Sequence, residues 1–169
     1  MLRFAIFIVW LSILGGCANV ETLATLKPGV STREEAIAKA GKPQYVWNND
    51  DGTQTLEFTS EPDDGNNCFQ VTVKPNGSVS KVQQAITDDN MARIHAGMTK
   101  EQVRRILCAP RAISHFPLSG EDVWDWNAPQ DPILGTLLIF NVHFKQDTVA
   151  RTSTTRINRD DCGMIGDIC

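Results

Sequence analysis

Two stretches of the chain carry the same order of hydrophobic and polar positions. The first runs Lys27-Pro28-Gly29-Val30-Ser31-Thr32-Arg33-Glu34-Glu35-Ala36 and continues to Ala40-Gly41-Lys42-Pro43. The second runs His95-Ala96-Gly97-Met98-Thr99-Lys100-Glu101-Gln102-Val103 and continues to Leu107-Cys108-Ala109-Pro110. Gly29 answers Gly97, Thr32 answers Thr99, and Pro43 answers Pro110, with Ser31 as the extra residue. Each stretch predicts a short helix (residues 21–26 and 89–95) that ends where a glycine takes a left-handed turn. Thr32 with Glu35, and Thr99 with Gln102, predict capping boxes that open a second helix. That helix stops ahead of a proline, whose ring disfavours helical geometry in the residue before it. Gly41 stands at the first stop and Cys108 at the second. A cysteine is strained in a left-handed cap, and a disulfide would hold it there.

Strands follow in both halves. Residues 53–59 alternate, with Leu56 and Phe58 against Thr55, Glu57 and Thr59; residues 122–127 alternate, with Trp124 and Trp126 against Val123, Asp125 and Asn127. Residues 69–74 then match 140–145 position by position. Asn76-Gly77 predicts a tight hairpin into a strand at 78–85, and Lys145-Gln146-Asp147 leads similarly into 148–155. Period-two alternation marks these as half-buried antiparallel strands. The predicted fold is α+β: two tandem helix-helix-three-strand units, residues 17–87 and 88–157, with helices packed on antiparallel sheet. A cysteine-containing tail, 158–169, lies outside the repeat.

The alternation also divides the sheet faces. Trp124 and Trp126 share a face with Phe140, Val142 and Phe144, which predicts core. The opposite face carries Glu57, Gln70, Thr72, Asp125, Asn141, His143 and Lys145, and reads as a wet face open to protein docking. Tyr45, Trp47, His115 and Phe116 fall in the connections after the second helices, where aromatics are candidates for partner contact. With Glu57 and His143 they form the predicted contact set.

The 169 residues carry a net charge of −4. A mildly acidic chain with no basic patch is not expected to bind nucleic acid. Arg3, an apolar run over residues 4–14, and Gly15-Gly16 before Cys17 have the layout of a secretory signal. With Leu14 at its head and Cys17 at its end, the segment resembles the lipobox of bacterial lipoproteins. The resemblance implies cleavage after residue 16, thioether lipidation and acylation (palmitate or a similar chain) at Cys17, and anchoring in the outer membrane on its periplasmic face. Cys68, Cys108, Cys162 and Cys169 then remain, an even number in an exported chain. Four cysteines allow three pairings. The short separation of Cys162 from Cys169 favours that pair, which leaves Cys68 with Cys108 to join the halves.

No catalytic constellation stands out. His95, His115 and His143 lack the spacing of metal ligands or of nucleophile partners. Asp50-Asp51-Gly52 and Asp63-Asp64-Gly65 read as turns rather than calcium loops. Asp160, Asp161 and Asp167 read as a solvated tail. The expectation is a protein with no metal, no cofactor, no small-molecule substrate and no enzymatic activity.

The lipobox, the Gly-(Val/Met)-(Ser)-Thr segment, the capped helix ending before Pro and the following β-meander together resemble the SmpA/OmlA lipoprotein family. That resemblance implies a non-catalytic envelope scaffold and, in the specific case, an accessory to outer-membrane β-barrel assembly. The tandem layout is also similar to that of β-lactamase-inhibitor protein, and implies instead a periplasmic binding inhibitor of a hydrolase. Both readings require an envelope protein as partner.

Overall fold

A computed structural model describes residues 19–59, 67–129 and 136–157. The signal segment, Cys17, Asp63, Asp64, and the tail with Asp160, Asp161, Cys162, Asp167 and Cys169 lie outside the described residues.

The first half opens with a 3-10 helix, Val20–Thr25, and an α-helix, α1 (Arg33–Ala40). Four strands follow: β1 (Tyr45–Asn48), β2 (Gln54–Thr59), β3 (Cys68–Val73) and β4 (Val79–Gln84). The second half has α2 (Asp88–Ala92) and α3 (Lys100–Leu107), then β5 (Ala112–Phe116), β6 (Glu121–Asn127), β7 (Leu137–Lys145) and β8 (Thr148–Ile157). Each set of four strands forms its own antiparallel sheet in sequential order.

This corrects the expected fold class. The units are not helix-helix-three-strand; the described residues form two four-stranded sheets with four short helices, and strand predominates. The added strands are β1 and β5. They are short edge strands with mostly open side chains, so neither shows the alternation that marks a half-buried strand. Tyr45, Trp47, His115 and Phe116 therefore stand on strands rather than in loops.

Local chemistry repeats across the halves down to single hydrogen bonds. Gly29 N–H donates to Val79 O at 2.8 Å, and Gly97 N–H to Val149 O at 2.9 Å. Both glycines have positive φ, 80° and 90°. Thr99 completes its capping box with Gln102, whereas Thr32 accepts from the Glu35 N–H alone. Gly41 and Cys108 both close their helices by donating to the carbonyl four residues back, at 2.8 Å in each case. Both sheets carry a bulge at the matching place, Thr72/Val73 and His143/Phe144.

Two cores result. Val20, Leu23, Leu26 and Ala36 pack on Leu56, Phe58, Val71, Val73 and Val79. In the second half, Met91, Ile94, Val103 and Leu107 pack on Trp126, Val142, Phe144 and Val149, with Cys68, Ala85 and Ile86 joining from the first half. Trp126 is fully buried and Trp124 packs at the margin, in agreement with the alternation. Cys68 and Cys108 form a disulfide across a separation of 40 residues, and Cys108 takes the left-handed φ of 62° that its place as a glycine equivalent demands.

Candidate functional site

Helix α3 has two faces that serve different halves. Val103 and Leu107, one turn apart, enter the second core. Arg104, Arg105 and Cys108 turn the other way, onto the polar face of the first sheet. There Gln70 Nε2–H donates to the Arg105 carbonyl at 2.9 Å, and Gln70 Oε1 accepts from Gln83 at 2.7 Å. Glu57, directly opposite Gln70 in the β2–β3 register, accepts from the Trp47 indole N–H. Its other oxygen lies 3.9 Å from Arg104 Nη2.

The expected wet face is thus covered in the first half: Glu57 is 1% exposed and Gln70 2%. The cover comes from the other unit's helix, which the alternation of a single strand cannot show. In the second half Asn141 is buried and His143 half-buried, against the expectation that both are open. Asn141 donates to Thr155 at 3.0 Å, and His143 meets Ser153 at 2.9 Å and Glu121 at 3.3 Å.

Where α3 meets β1, an open groove of about 500 Å³ remains, running from Tyr45 and Trp47 past α3 to Trp124. Tyr45 and Trp47 alternate onto the same face of β1, their ring centroids 4.4 Å apart. The Arg104 guanidinium lies 4.4 Å from the Tyr45 ring centroid and that of Arg105 lies 4.2 Å from Trp47. Such stacks contribute about 0.5–2 kcal/mol each, depending on desolvation. Trp47 is buried, while Tyr45 remains 39% exposed. At the far end Lys100 bonds Asp122 at 2.8 Å and lies 5.9 Å from the Trp124 ring centroid.

Of the predicted contact residues, Tyr45, Trp47 and Glu57 come together here. His115 and Phe116 stand on edge strand β5, with His115 bonded to Asp122 at 2.7 Å, and His143 lies on the second sheet. The site also depends on Arg104, Arg105 and Lys100, which sequence reasoning did not single out. Their signal was the pair of cations in the last turn of a capped helix, a favourable position against the helix dipole. Among the described residues no cluster of His, Cys, Asp and Glu is arranged to hold a metal ion.

Burial pushes the Glu57 carboxyl above the ordinary carboxylate range, with the Trp47 N–H, Arg104 and Arg105 opposing it. A carboxylic acid whose pKa is raised on folding favours the fold while protonated. Its contribution therefore falls as pH rises from the unfolded value near 4.5 through the higher folded value. Glu57→Gln removes this titration while keeping an acceptor for Trp47. The variant is expected to gain stability relative to the parent as pH rises above the unfolded value near 4.5, measured as denaturant midpoints of both proteins at each pH.

The fold and groove define a pair of helix-covered antiparallel sheets with an aromatic-cationic groove at their junction. No family model matches the chain, and no curated protein matches it. Among solved structures, it is similar to a proposed β-lactamase inhibitor protein from Streptococcus mutans, with TM-score 0.34 and 9% identity over 80% of this chain and 93% of the other. It is also similar to a DUF4309 family protein (YjgB) from Bacillus subtilis, with TM-score 0.30 and 12% identity over 82% and 93%. Both likenesses are loose. The SmpA/OmlA resemblance is overturned: no model of that family matches the chain, and the solved structures named are other proteins. Its pattern of glycine, capped helix, proline and meander is generic to a helix leading into antiparallel strands.

Proposed function

We propose that this protein acts by binding another protein through the groove between β1 and α3. The observation that carries the reading is the exposed Tyr45 seated beside cations delivered by the other unit's helix. Aromatic and arginine side chains dominate binding energy at protein interfaces, and here both belong to one cleft that exists only when the two halves are joined. The tandem layout read from the sequence makes an exported hydrolase of β-lactamase type the first partner class to test, with this protein as its inhibitor. Anchoring through Cys17 would hold it in the envelope where such a partner is exported.

The test is a panel of purified serine β-lactamases assayed with a chromogenic cephalosporin in the presence of this protein. The reading expects at least one enzyme to be inhibited at stoichiometric concentration. Tyr45→Ala is expected to weaken that inhibition by about 2 kcal/mol, roughly thirtyfold. Inhibition indifferent to Tyr45→Ala would move the interface away from the groove, and no inhibition across the panel would remove the hydrolase as target.

A further inference from the structure

Resting on that reading, we infer that the groove seats an acidic loop of a folded partner protein, whose carboxylate is gripped by Arg104 and Arg105 of α3. The two guanidinium groups differ from the other cation of the groove in how they are satisfied. Lys100 is spoken for, with Asp122 at 2.8 Å and Asp147 at 3.4 Å. Among the described residues Arg105 has one carboxylate partner, Glu101 at 2.9 Å one turn back on the same helix, with that side chain 62% exposed, and a long hydrogen bond to Asn49 at 3.5 Å. An exposed pair of this kind is weak, so an incoming carboxylate displaces it at little cost.

Arg104 is less satisfied still. Its Nε is buried without a hydrogen-bond partner among the described residues, and the nearest carboxylate oxygen, on Glu57, stands 3.9 Å from Nη2. The Tyr45 and Trp47 rings lie beside the guanidinium groups of Arg104 and Arg105, and since Arg104 Nε is buried, the terminal N–H donors are the ones that match an incoming carboxylate fork. The buried Trp47 ring also supplies an apolar flank that strengthens such a bond. A polyanion such as nucleic acid is a poor alternative occupant, because the chain as a whole is negative at −4 and repels extended negative charge. A single acidic side chain presented by a loop needs only the two neighbouring guanidinium groups, with the exposed Glu101 displaced from Arg105.

The test titrates the isotopically labelled chain with a cyclic hexapeptide presenting two adjacent aspartates, and with its diasparagine twin. Arg104 and Arg105 Nε–H resonances report binding. The inference expects saturable shifts of both resonances with the aspartate loop. Affinity is expected to fall by about tenfold or more for the asparagine loop and for Arg105→Lys, which keeps the charge but loses the fork. Equal response to both peptides, response to neither, or reproduction of the shifts by inorganic phosphate would each overturn it. The peptide comparison needs no variant, so a misfolded Arg105→Lys chain leaves it decisive. If Tyr45 governs inhibition in the hydrolase panel while Arg104 and Arg105 ignore the aspartate loop, the binding reading stands and this inference alone fails.

Discussion

Joint replacement of Cys68 and Cys108 by alanine is expected to lower the free energy of unfolding by about 4 kcal/mol, the chain-entropy value for a loop of 40 residues. Both cysteines are buried in the second core, which Cys68 enters from β3 of the first sheet, so the bond also ties α3 to that sheet. Cys108 is the C-cap of that helix, and Arg104 and Arg105 occupy its last turn. Loss of the bond is therefore expected to loosen the groove as well as the fold. A matched variant separates the two contributions. Cys108 holds a φ of 62° where Gly41 holds 79°, and left-handed geometry costs a residue with a Cβ about 1–2 kcal/mol. Cys68→Ala with Cys108→Gly should accordingly recover about 1 kcal/mol over the double alanine. Guanidinium unfolding of the three proteins reads both differences. A loss below about 1 kcal/mol in the double alanine would mean that packing alone holds the halves together.

Trp47→Ala carries the second large effect. Removing a buried indole typically costs about 3–5 kcal/mol, and here it strips the stack from Arg105 and the donor from buried Glu57. Trp47→Phe isolates the donor, because the ring remains to pack while the N–H is gone. A buried acceptor left without its donor costs about 1–3 kcal/mol. The same change should raise the Glu57 pKa further, since the indole N–H opposes the effect of burial. Stability of Trp47→Phe is then expected to fall more steeply with rising pH than that of the parent. Denaturant midpoints measured across that range check it, and parallel profiles would show that Glu57 does not depend on Trp47.

What the sequence disclosed and what it hid divide along one physical line. Signals confined to a few neighbouring residues were legible: the threonine caps of α1 and α3, the positive-φ glycines, the alternation of β2, β3, β6 and β7, and the strained place of Cys108. The Cys68–Cys108 bond emerged from the pairing left when Cys162 and Cys169 were set together. Edge strands β1 and β5 were not legible, because four or five mostly open residues carry too little alternation. Nor was the burial of Glu57 and Gln70. Polar residues on a strand read as wet, and only the tertiary placement of α3 covers them. The site suffered likewise. Tyr45 and Trp47 stood out as aromatics beyond a helix stop, but the cations that complete the groove sit almost sixty residues away on a helix whose visible duty is its apolar face (Arg105 approaches Asn49 across a separation of 56).

The most direct measurement places a photo-cross-linking phenylalanine at Tyr45, inside the groove, and separately at Val30, which is 75% exposed but outside it. Both proteins are expressed in full length in their own cells, irradiated, and their adducts identified by mass spectrometry. The account predicts one dominant protein adduct from position 45 that is absent from position 30 and disappears in the Cys68→Ala, Cys108→Ala background. Capture of the same proteins from both positions, or of none from position 45, would contradict the claim that the groove joining the two halves is a protein-binding site.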